Sequence, residues 1–583
     1  MMVNKFSADY ISRITPHLKE YFSTNFLEEI EKSPITNELD LLNCFMRLGI
    51  EVQRKYGIPA SDQGMILRKI TTKSGPNKFF VSFPYCNLVA LEKTLKWLLM
   101  FFNKAANICF SNKDGQSINE AYLDLALNLK RLVSTGQNHP YIIEAAVQLR
   151  LPILKDLHDW TRIGIGAKGT DFFSSITMHT SSIGVRLVKN KIRAGQCLRE
   201  MGFPCPEHVI VKDELAACEM ANKMGYPVVI KPVDQDAGLG VSADISSDDM
   251  VKIAFQHASK HSNSIMVEKH FNGLGHRLLV LRGNVIKVTQ KLPWGVVGDG
   301  KSSIEQLVKF DFDERYGKEA LKGKVTSTDS FPTLDEEALS LLTQYGLSPN
   351  SILESQRFFA LKRKNNASSG GSVEVIPVAN VHPDNIHLCV RVALLFGLDI
   401  CGVDLILPDI KRSWLEGGAV ICDVNAQPQT DPQTIVSILE SIIEDNGRVP
   451  MHLLLYEEAA LPDSELDACL KKISNELSCN GVSSRQAVYI NGSKVAINLR
   501  SSFHAARILM LDRQLLSGLC AIPFGELVKF GLPIDRFETI RILKAGTDNL
   551  LGDANNSGDR NAYTLSQVIS MIKPHTSSLM MLG

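Results

Sequence analysis

Two short apolar segments decide the fold of this chain: residues 402–406, Gly-Val-Asp-Leu-Ile, and residues 421–426, Ile-Cys-Asp-Val-Asn-Ala. Both segments predict strands, and because side chains alternate along a strand, Asp423 and Asn425 share one face while Cys422 and Val424 lie on the other. Together with Asp404, they put two carboxylates and an amide oxygen against an apolar layer, where a hard cation such as Mg²⁺ would satisfy them. Mg²⁺ bound in this way usually also holds nucleotide phosphates. The alternative is a strand end with solvated acids.

The composition is that of an ordinary globular protein and gives no sign of a highly charged binding partner. The 583 residues predict three or four domains, since a single core does not grow to that size. Hydrophobic residues make up 44% and charged residues 22%, and 63 basic residues balance 63 acidic ones. A balanced charge gives no reason to expect nucleic acid or an anionic membrane as a partner.

Targeting and redox signals are also missing from the sequence. The first residues lack an apolar signal core, and the early apolar run at 97–102 is too short to span a bilayer, so we expect a cytoplasmic protein. The twelve cysteines form no C-x-x-C pair and no Cys/His cluster. They predict neither a zinc site nor a disulfide framework.

The first third of the chain predicts an α+β module and contains a misleading motif. Residues 8–109 predict helices around a strand at 78–85, with an amphipathic helix at 91–102. A helix at 139–150 and a short strand at 151–153 follow. Residues 164–169 match the dinucleotide pattern G-x-G-x-x-G, but 171–180 predict extended chain rather than a helix, so we interpret the motif as a glycine-rich turn.

The middle of the chain predicts helices on an antiparallel sheet. Two helices are predicted between Asn190 and Gly225, and a strand at 228–230 leads to Lys231. The glycines of the following loop, Gly238 and Gly240, permit backbone N–H groups to approach an anion. A strand at 265–268 and a hairpin joining 277–281 to 285–289 complete this half.

A second misleading motif lies at residues 295–302, which match the P-loop pattern G-x-x-x-x-G-K-S with Lys301. Since Lys231 and the acidic strands already predict a nucleotide site in the same domain, a P-loop at Lys301 is the less favoured alternative. Residues 361–372 predict a polar, basic loop, and 382–396 predict a helix. A new unit begins beyond residue 447, with a hairpin at 489–495.

These motifs, taken in order, resemble the ATP-grasp domain of the cyanophycin synthetase family, whose members build a polyaspartate backbone carrying arginine. The matching segments include 139–166, 190–191, 229–232, 267–268, 277–280, 296–300, 366–371, 382–385, 402–405 and 424–426. The segments 487–492, 505–509 and 530–537 resemble parts of the Mur-ligase-like domain that attaches arginine in full-length members.

The resemblance implies an α/β (α+β) protein with three domains. They are an N-terminal α+β domain at 1–135, an ATP-grasp domain at 136–448 with its leading segment at about 136–188, and a truncated Mur-ligase-like domain at 449–583. The last region has no glycine-rich Gly-Lys-Thr loop, so its site is expected to be inactive. That organisation resembles the short form of the family, which joins ready-made β-aspartyl-arginine dipeptides.

The same resemblance implies an ATP- and Mg²⁺-dependent ligase of the acid–amino-acid class. ATP would be bound by Lys191, Lys231, Gly238, Gly240, Glu268 and Lys269, and Mg²⁺ by Asp404, Asp423 and Asn425. The catalytic residues would be Arg277, which stabilises the acyl phosphate, and Lys231. The accepting substrate would be held by Arg363, Asn366, Ser368, Ser369 and Gly370. A homo-oligomer, a dipeptide substrate and a cyanophycin-like polymer are expected as partners.

Three alternatives remain open from the sequence. A ligase of the same mechanism could make a small free peptide, as glutathione-forming relatives do. A nucleotide-binding assembly subunit without catalysis is a second reading, because Asp423 and Gln429 stand where family members commonly have Glu and Gly. The third is a true P-loop enzyme at Lys301.

Overall fold

A computed structural model gives the structure of the chain in two compact units, residues 1–178 with 429–583 (unit 1) and residues 179–428 (unit 2). It describes residues 21, 38–56, 58, 65–70, 78–83, 87–105, 111–132, 138–157, 160–234, 239–311, 334–362, 372–458, 461–497, 499–543 and 565–582. The predicted domain boundaries after residues 135 and 448 stay predictions.

The amino-terminal part of unit 1 is a helical module with a two-stranded sheet. Its elements are α1 (Glu38–Lys55), β1 (Met65–Ile70), β2 (Lys78–Ser82), α2 (Leu88–Ala105) and α3 (Asn112–Leu132). Buried aromatic rings from two helices fill its core, with Trp97 stacked on Phe101 and tilted against Tyr122. The predicted helix at 91–102 is confirmed, and the strand predicted at 78–85 is confirmed over residues 78–82, while residues 84 and 85 lie outside the described part of the chain.

A small antiparallel sheet follows α4 (Asn138–Gln148). Its strands pair in sequence order: β3 (Ile153–Leu157), β4 (Trp160–Ile163), β5 (Thr170–Phe173) and β6 (Ile176–Thr177). The predicted strand at 151–153 begins only at Ile153, because Leu151 still closes the helix, donating its N–H to the Ala146 carbonyl over 2.8 Å.

The G-x-G-x-x-G motif is a glycine-rich turn, as predicted. Instead of opening a helix, Gly166–Lys168 form a single 3₁₀ turn. The backbone N–H of Ile165 donates to Gly447 over 2.7 Å, and that of Ala167 donates to Leu515 over 2.9 Å. These N–H groups bind the protein's own carbonyls, so the motif stabilises unit 1 and presents no phosphate cradle.

Gly447 permits this close approach, and its replacement by alanine is expected to destabilise the protein by about 2–4 kcal/mol. Gly447 has φ of +66°, and an added Cβ would lie 2.9 Å from the Gly164 Cα, which is backbone and cannot rotate away. Urea unfolding measures the change. Gly525→Ala is the control, since a Cβ there meets nothing within 4 Å, and equal stability of the two variants would contradict the prediction.

Unit 2 contains two larger sheets and a small one. Its helices are α5 (Ser182–Val188), α6 (Lys191–Glu200), α7 (Glu214–Met224), α8 (Asp248–Ser259), residues 304–311, α9 (Glu336–Gln344), α10 (Pro383–Phe396) and α11 (Trp414–Gly417). Its strands are β7 (His208–Val211), β8 (Val228–Pro232), β9 (Ser242–Ile245), β10 (Ile265–Lys269), β11 (Leu274–Leu281), β12 (Asn284–Leu292), β13 (Gly295–Val297), β14 (Phe358–Ala360), β15 (Ser372–Ile376), β16 (Ile400–Leu407) and β17 (Val420–Asn425).

The four-stranded sheet has the order β7-β10-β8-β9 and is antiparallel throughout. Helices α7 and α8 cover one face, with Ala217, Ala221 and Val251 fully buried against Val228 and Ile230. The predicted arrangement of helices on an antiparallel sheet is therefore confirmed.

The five-stranded sheet has the order β15-β12-β11-β16-β17, and it too is antiparallel. One face is apolar and covered by α10, with Leu278, Val403 and Val424 in a core that also contains Val392 and Phe396. The side chains that alternate with the core residues lie on the opposite face of the sheet, and they include every acidic residue predicted to bind the metal.

The P-loop-like motif at residues 295–302 lies at the small β13–β14 sheet, and a carboxylate of the motif itself binds its backbone N–H groups. Asp299 accepts hydrogen bonds from the backbone N–H groups of Lys301 and Ser302, at 2.8 and 2.7 Å, and from the Ser302 hydroxyl. These hydrogen bonds lower the pKa of Asp299 to about 2. An anion therefore already satisfies the N–H groups that a phosphate would need.

The carboxy-terminal part of unit 1 is a seven-stranded mixed sheet. Its elements are α12 (Pro432–Ile442), β18 (Met451–Tyr456), α13 (Asp463–Glu476), β19 (Gly481–Ser483), β20 (Ala487–Ile490), β21 (Ser493–Ile497), α14 (Ser502–Leu511), β22 (Gly518–Pro523), α15 (Phe524–Phe530), β23 (Phe537–Leu543), α16 (Leu565–Ile572) and β24 (Thr576–Leu582). The order is β21-β20-β19-β22-β18-β23-β24. The predicted hairpin turns at Asn491-Gly492, both with positive φ.

The described cysteines are all free thiols, as the sequence predicts. Burial raises the pKa of Cys401 and of Cys422 to about 12, so both stay protonated near neutral pH. Of the helices that the structure describes, none has both the length and the apolar character needed to span a bilayer.

Candidate active site

A cavity in unit 2 lies between the four-stranded sheet and the edge strand β17 of the five-stranded sheet. Its lining residues come from α6, the two sheets and the segment before β7: Lys191, Ala194, Gly195, Leu198, Cys205, Pro206, His208, Lys231, Met266, Glu268, Ile421, Cys422 and Asp423. Three of the predicted ATP-binding residues and one predicted metal ligand are thus brought into one cavity from segments more than two hundred residues apart in sequence.

Lys231 is held in this cavity by Glu268. The Lys231 Nζ lies 2.6 Å from the Glu268 Oε2, and both side chains are mostly buried. They meet because β8 and β10 are antiparallel neighbours with Lys231 paired to Met266, two residues from Glu268. Burial opposes the charge, but Glu268 raises the pKa of Lys231 above its ordinary value, so the amine is a permanent cation in the cavity.

A row of polar side chains crosses the face of the five-stranded sheet beside this cavity. The register pairs Thr289 with Arg277, Arg277 with Asp404, and Asp404 with Asp423, so these four side chains share one face. Arg277 donates two hydrogen bonds to Asp404, from Nε to Oδ1 over 2.6 Å and from Nη2 to Oδ2 over 2.8 Å. This fork fixes the guanidinium in the plane of the carboxylate.

Lys291 completes the row and was missed by the sequence reasoning. Its Nζ donates to the Asp404 Oδ2 over 2.8 Å, next to the Arg277 guanidinium. The predicted hairpin ended at Thr289, although extending the strand by two residues would have placed Lys291 on the Arg277 face. The alternation of Thr289 and Lys291 was the signal that could have found it.

The pKa values of the two acids of the row are shifted in opposite directions. Burial works against ionisation of Asp404, but Arg277 and Lys291 together hold the pKa of this carboxyl below its ordinary value. Asp423 has no such partner pair: burial and repulsion by Asp404 raise the pKa of its carboxyl, and Lys191, Lys231 and Arg277 offset part of that rise. Among the residues that the structure describes, Asp423 is therefore the acid of the row without an ion pair, and the three nearby cations offset only part of the rise in its pKa.

Of the three predicted metal ligands, Asp423 and Asn425 are the ones that could hold a Mg²⁺ shared with a ligand, because both carboxylate oxygens of Asp404 already accept hydrogen bonds from Arg277 and Lys291. Asn425 lies beside Asp423, and its Nδ2 donates to the Asp423 Oδ2 over 3.4 Å. Within the described parts of the chain, His, Cys, Asp and Glu form no metal-holding group of three or more. Mg²⁺ is usually bound through one or two carboxylates while substrate phosphates and waters supply its other ligands.

A β-bulge changes the predicted position of Cys422. Asp404 pairs with Asp423 but the next residue, Leu405, pairs with Ile421, so Cys422 is an extra residue in β17. Strict alternation predicted that Cys422 faces away from Asp423. That prediction was wrong, because Cys422 lines the same cavity and its thiol donates to the Asp404 carbonyl over 3.4 Å.

Replacing Asp423 by Asn is expected to stabilise the free protein at neutral pH, raising Tm by about 2–4 °C. Because its pKa is raised on folding, ionised Asp423 costs the folded state stability above that raised pKa, and the cost is absent below the ordinary value of 3.8. The gain in Tm should therefore be present at pH 8 and disappear as the pH falls toward 3.8.

Thermal unfolding of both proteins with and without Mg²⁺ and ATP tests the cause. The Asn variant should lose most of the stabilisation that nucleotide with Mg²⁺ gives the parent protein, since a neutral amide binds Mg²⁺ weakly. A lower Tm for the variant at pH 8 without ligand would contradict the assigned electrostatics.

The remaining predicted site residues lie elsewhere or outside the described residues. Lys269 is not among the cavity-lining residues, and its amine donates to the carbonyls of Gly225 and Tyr226 over 2.7 and 3.3 Å. Gly240 has φ of +70° and lies against Pro232. The predicted residues outside the described part are Gly238, Arg363, Asn366, Ser368, Ser369 and Gly370.

Comparison with known proteins gives a consistent set of relatives. The family model described as D-ala D-ala ligase C-terminus matches residues 197–328. The cyanophycin synthetase of Geminocystis herdmanii is 25% identical over 568 residues, which are 93% of this chain and 62% of the relative. That of Trichormus variabilis is 27% identical over 446 residues, 73% of this chain and 48% of the relative.

A second group of relatives matches a smaller part of the chain. The glutathione biosynthesis bifunctional protein GshAB of Mannheimia succiniciproducens is 28% identical over 279 residues, which are 45% of this chain and 35% of that protein. The chain spans between about half and three fifths of the length of the cyanophycin synthetases it matches.

Proposed function

We propose that this chain, which belongs to the cyanophycin synthetase family and has its ATP-grasp fold, is an ATP-dependent carboxylate–amine ligase. It would join β-aspartyl-arginine dipeptides into a cyanophycin-like polymer. The observation that carries the proposal is the single row of Arg277, Lys291, Asp404 and Asp423, which runs up to the cavity that holds Lys231. Such a row offers fixed charges to a nucleotide on one side and to a carboxylate on the other.

The first step would transfer the γ-phosphoryl group of ATP to the terminal carboxylate of the acyl substrate, giving an acyl phosphate and ADP. Lys191 and Lys231 would neutralise the phosphates, since both line the cavity. Asp423 and Asn425 would hold Mg²⁺, which when bound neutralises charge on the phosphates, and Asp404 would join them only by giving up a hydrogen bond from Arg277 or Lys291. Chemistry of this kind is mostly positioning and charge compensation.

The second step would form the amide. The lone pair of an incoming α-amine adds to the acyl carbon, the C–O bond to phosphate breaks, and inorganic phosphate and one proton leave. Arg277 and Lys291 would stabilise the negative charge that develops on the acyl oxygen, because both are cations already held in place by Asp404. Their fixed geometry would require little reorganisation during the reaction.

Release of ADP with defined substrates tests the proposal. ADP should form with β-aspartyl-arginine and Mg²⁺, and should not form with aspartate plus arginine, since no second nucleotide site is predicted for attaching arginine. Turnover with the free amino acids alone would overturn the dipeptide assignment. Mass spectrometry of the product should detect chains of several units.

A ligase that makes a small free peptide is the second candidate, and the match to GshAB over 45% of the chain favours it. The mechanism would be the same, and product length separates the two. A single condensation with no further growth would favour this candidate over polymerisation.

A nucleotide-binding assembly subunit is the third candidate, favoured by Asp423 at the position where the family resemblance leads us to expect glutamate. The shorter aspartate reaches less far toward a metal. ATP binding without ADP formation, tested with dipeptide, amino acids and a polymer primer, would favour that candidate and end the catalytic proposal.

A further inference from the structure

His208 lines the nucleotide cavity but has no role in the chemistry described above. It is the first residue of β7 and pairs with Glu268 on β10, so the two side chains share the face of the four-stranded sheet that borders the cavity. Lys191 and Lys231 line the same cavity. The imidazole therefore lies in the space that we assign to the nucleotide phosphates.

The helix α6 holds one side of the imidazole in place. Nη1 of Arg199 donates to the His208 Nδ1 over 3.2 Å and to the Pro206 carbonyl over 3.0 Å. The ring can lie this close to the helix because residue 195 is glycine: a Cβ added to Gly195 would be 2.3 Å from the His208 Cε1. Both the position and the orientation of the ring are thus set by the protein itself.

The contact with Arg199 also decides which ring nitrogen carries the proton. A guanidinium has donors only, so Nδ1 accepts the hydrogen bond and the proton of the neutral ring lies on Nε2. Burial, together with the positive charge of Arg199, lowers the pKa of His208 below its ordinary value, and the ring is neutral at pH 7.5. Nε2 is therefore an uncharged N–H donor.

This donor is left without an acceptor among the residues that the structure describes. Nε2 is shielded from solvent and makes no hydrogen bond of ordinary geometry. Since Nδ1 and Cε1 lie against Arg199 and Gly195, Nε2 is turned toward the first turn of α6, where it approaches the Ile192 backbone. Lys191 begins that turn. Because buried polar atoms of native proteins are nearly always paired, an unpaired donor beside a cavity indicates a bound acceptor.

We propose that the Nε2–H group of His208 donates a hydrogen bond to a phosphate oxygen of the bound nucleotide. The inference rests on the proposed function. A phosphate is favoured over the base because Nε2 turns toward the end of α6 that carries Lys191 and the positive end of the helix dipole. The two lysines supply charge, and the fixed imidazole would add direction to that attraction, since a hydrogen bond to an ionised acceptor is strong and oriented.

A purely structural role for His208 is the competing explanation. In that case the ring would only hold α6 against β7, and the contact that matters would be the one between Nδ1 and Arg199. The two explanations depend on different nitrogens of the same ring. They can therefore be separated by side chains that replace one nitrogen at a time.

Two amide substitutions make this separation. Asparagine places its amide near the position of Nδ1, where it can still accept from Arg199, but it has no donor where Nε2 was. Glutamine reaches the position of Nε2 and restores a donor there, but it loses the acceptor at Nδ1. Calorimetric titration with ATP and Mg²⁺ should give His208→Asn a Kd about 10-fold higher than that of the parent protein, equivalent to about 1.4 kcal/mol. His208→Gln should bind ATP about 5-fold more tightly than His208→Asn does.

Shorter ligands show which part of the nucleotide the donor meets. The loss of affinity in His208→Asn should be present with ATP and with ADP, and absent with adenosine, which has no phosphate. His504→Asn is the matched control, because His504 is an exposed histidine of unit 1, and this variant should bind ATP like the parent protein. Thermal unfolding of each variant without ligand sets a titration temperature at which all of them are folded.

Three results would overturn the role of His208 while leaving the proposed function intact. Equal affinity for ATP in His208→Asn and the parent protein would show that Nε2 contributes nothing. Weaker binding by His208→Gln than by His208→Asn would show that the residue acts through Arg199 and only holds α6. An equal loss of affinity for adenosine would assign the donor to the base. A parent protein that binds no ATP would overturn the proposed function, and the role of His208 with it.

Discussion

Replacing Arg277 by lysine is expected to lower kcat by about 10²- to 10³-fold while changing the affinity for ATP by less than about 3-fold. Arg277 presents a rigid fork: Nε and Nη2 bind Asp404, which leaves Nη1 to meet a developing oxyanion. Lysine keeps the charge but loses the fork, so the positive charge no longer has a fixed direction. Arg277 is not among the residues lining the nucleotide cavity, and ground-state ATP binding should therefore survive.

Steady-state ADP release and equilibrium binding of an ATP analogue, measured on the same preparation, check both parts of this prediction. Arg282→Lys is the control, because Arg282 lies at the end of the same hairpin and pairs loosely with Asp399 at 3.4 Å. Its kcat should equal that of the parent protein. A fall in ATP affinity as large as the fall in kcat for the Arg277 variant would show that this residue acts in nucleotide binding instead.

Replacing Lys231 by alanine is expected to weaken ATP binding by about 100-fold, whereas Lys301→Ala should leave it unchanged. The Lys231 amine is a buried cation in the cavity, and a charge-assisted hydrogen bond to phosphate contributes about 1.5–3 kcal/mol. Lys301 belongs to a turn whose backbone N–H groups already bind Asp299. Titration calorimetry of the two variants distinguishes the ATP-grasp site from a P-loop.

Loss of Lys231 also leaves Glu268 buried without its cation, and that cost must be separated from the loss of phosphate binding. The double variant Lys231→Ala/Glu268→Gln removes the unpaired charge. It should regain thermal stability compared with Lys231→Ala and still bind ATP weakly. Recovery of ATP affinity in the double variant would show that Lys231 is structural.

Much of the fold was predictable because each element has a local cause. Gly225 ends a helix, and Gly283 and Gly492 lie in hairpin turns. All three have positive φ in the structure. The G-x-G-x-x-G motif could be rejected from the sequence, because no helix is predicted after it. The P-loop pattern at Lys301 could only be disfavoured, because another nucleotide site was already predicted in the same domain.

The site was predictable only in part, because alternation along a strand assigns faces but not partners. Asp423 and Asn425 could be placed on one face, yet the bulge at Cys422 depends on how β17 pairs with β16. Lys291 was missed for the same reason, since its role depends on the register between β12 and β11. The ion pair of Lys231 with Glu268 likewise needs two strands to be neighbours.

The sequence by itself determined which residue types are available and in which periodic order: apolar strands, a lysine at the end of one, and acids with an amide on two others. Only the tertiary structure decided that Arg277 and Lys291 pair with Asp404, whereas Asp423 forms no ion pair with any described residue and has a raised pKa. The physical reason is that electrostatic energy depends on distances between charges, and those distances are set by strand register and burial.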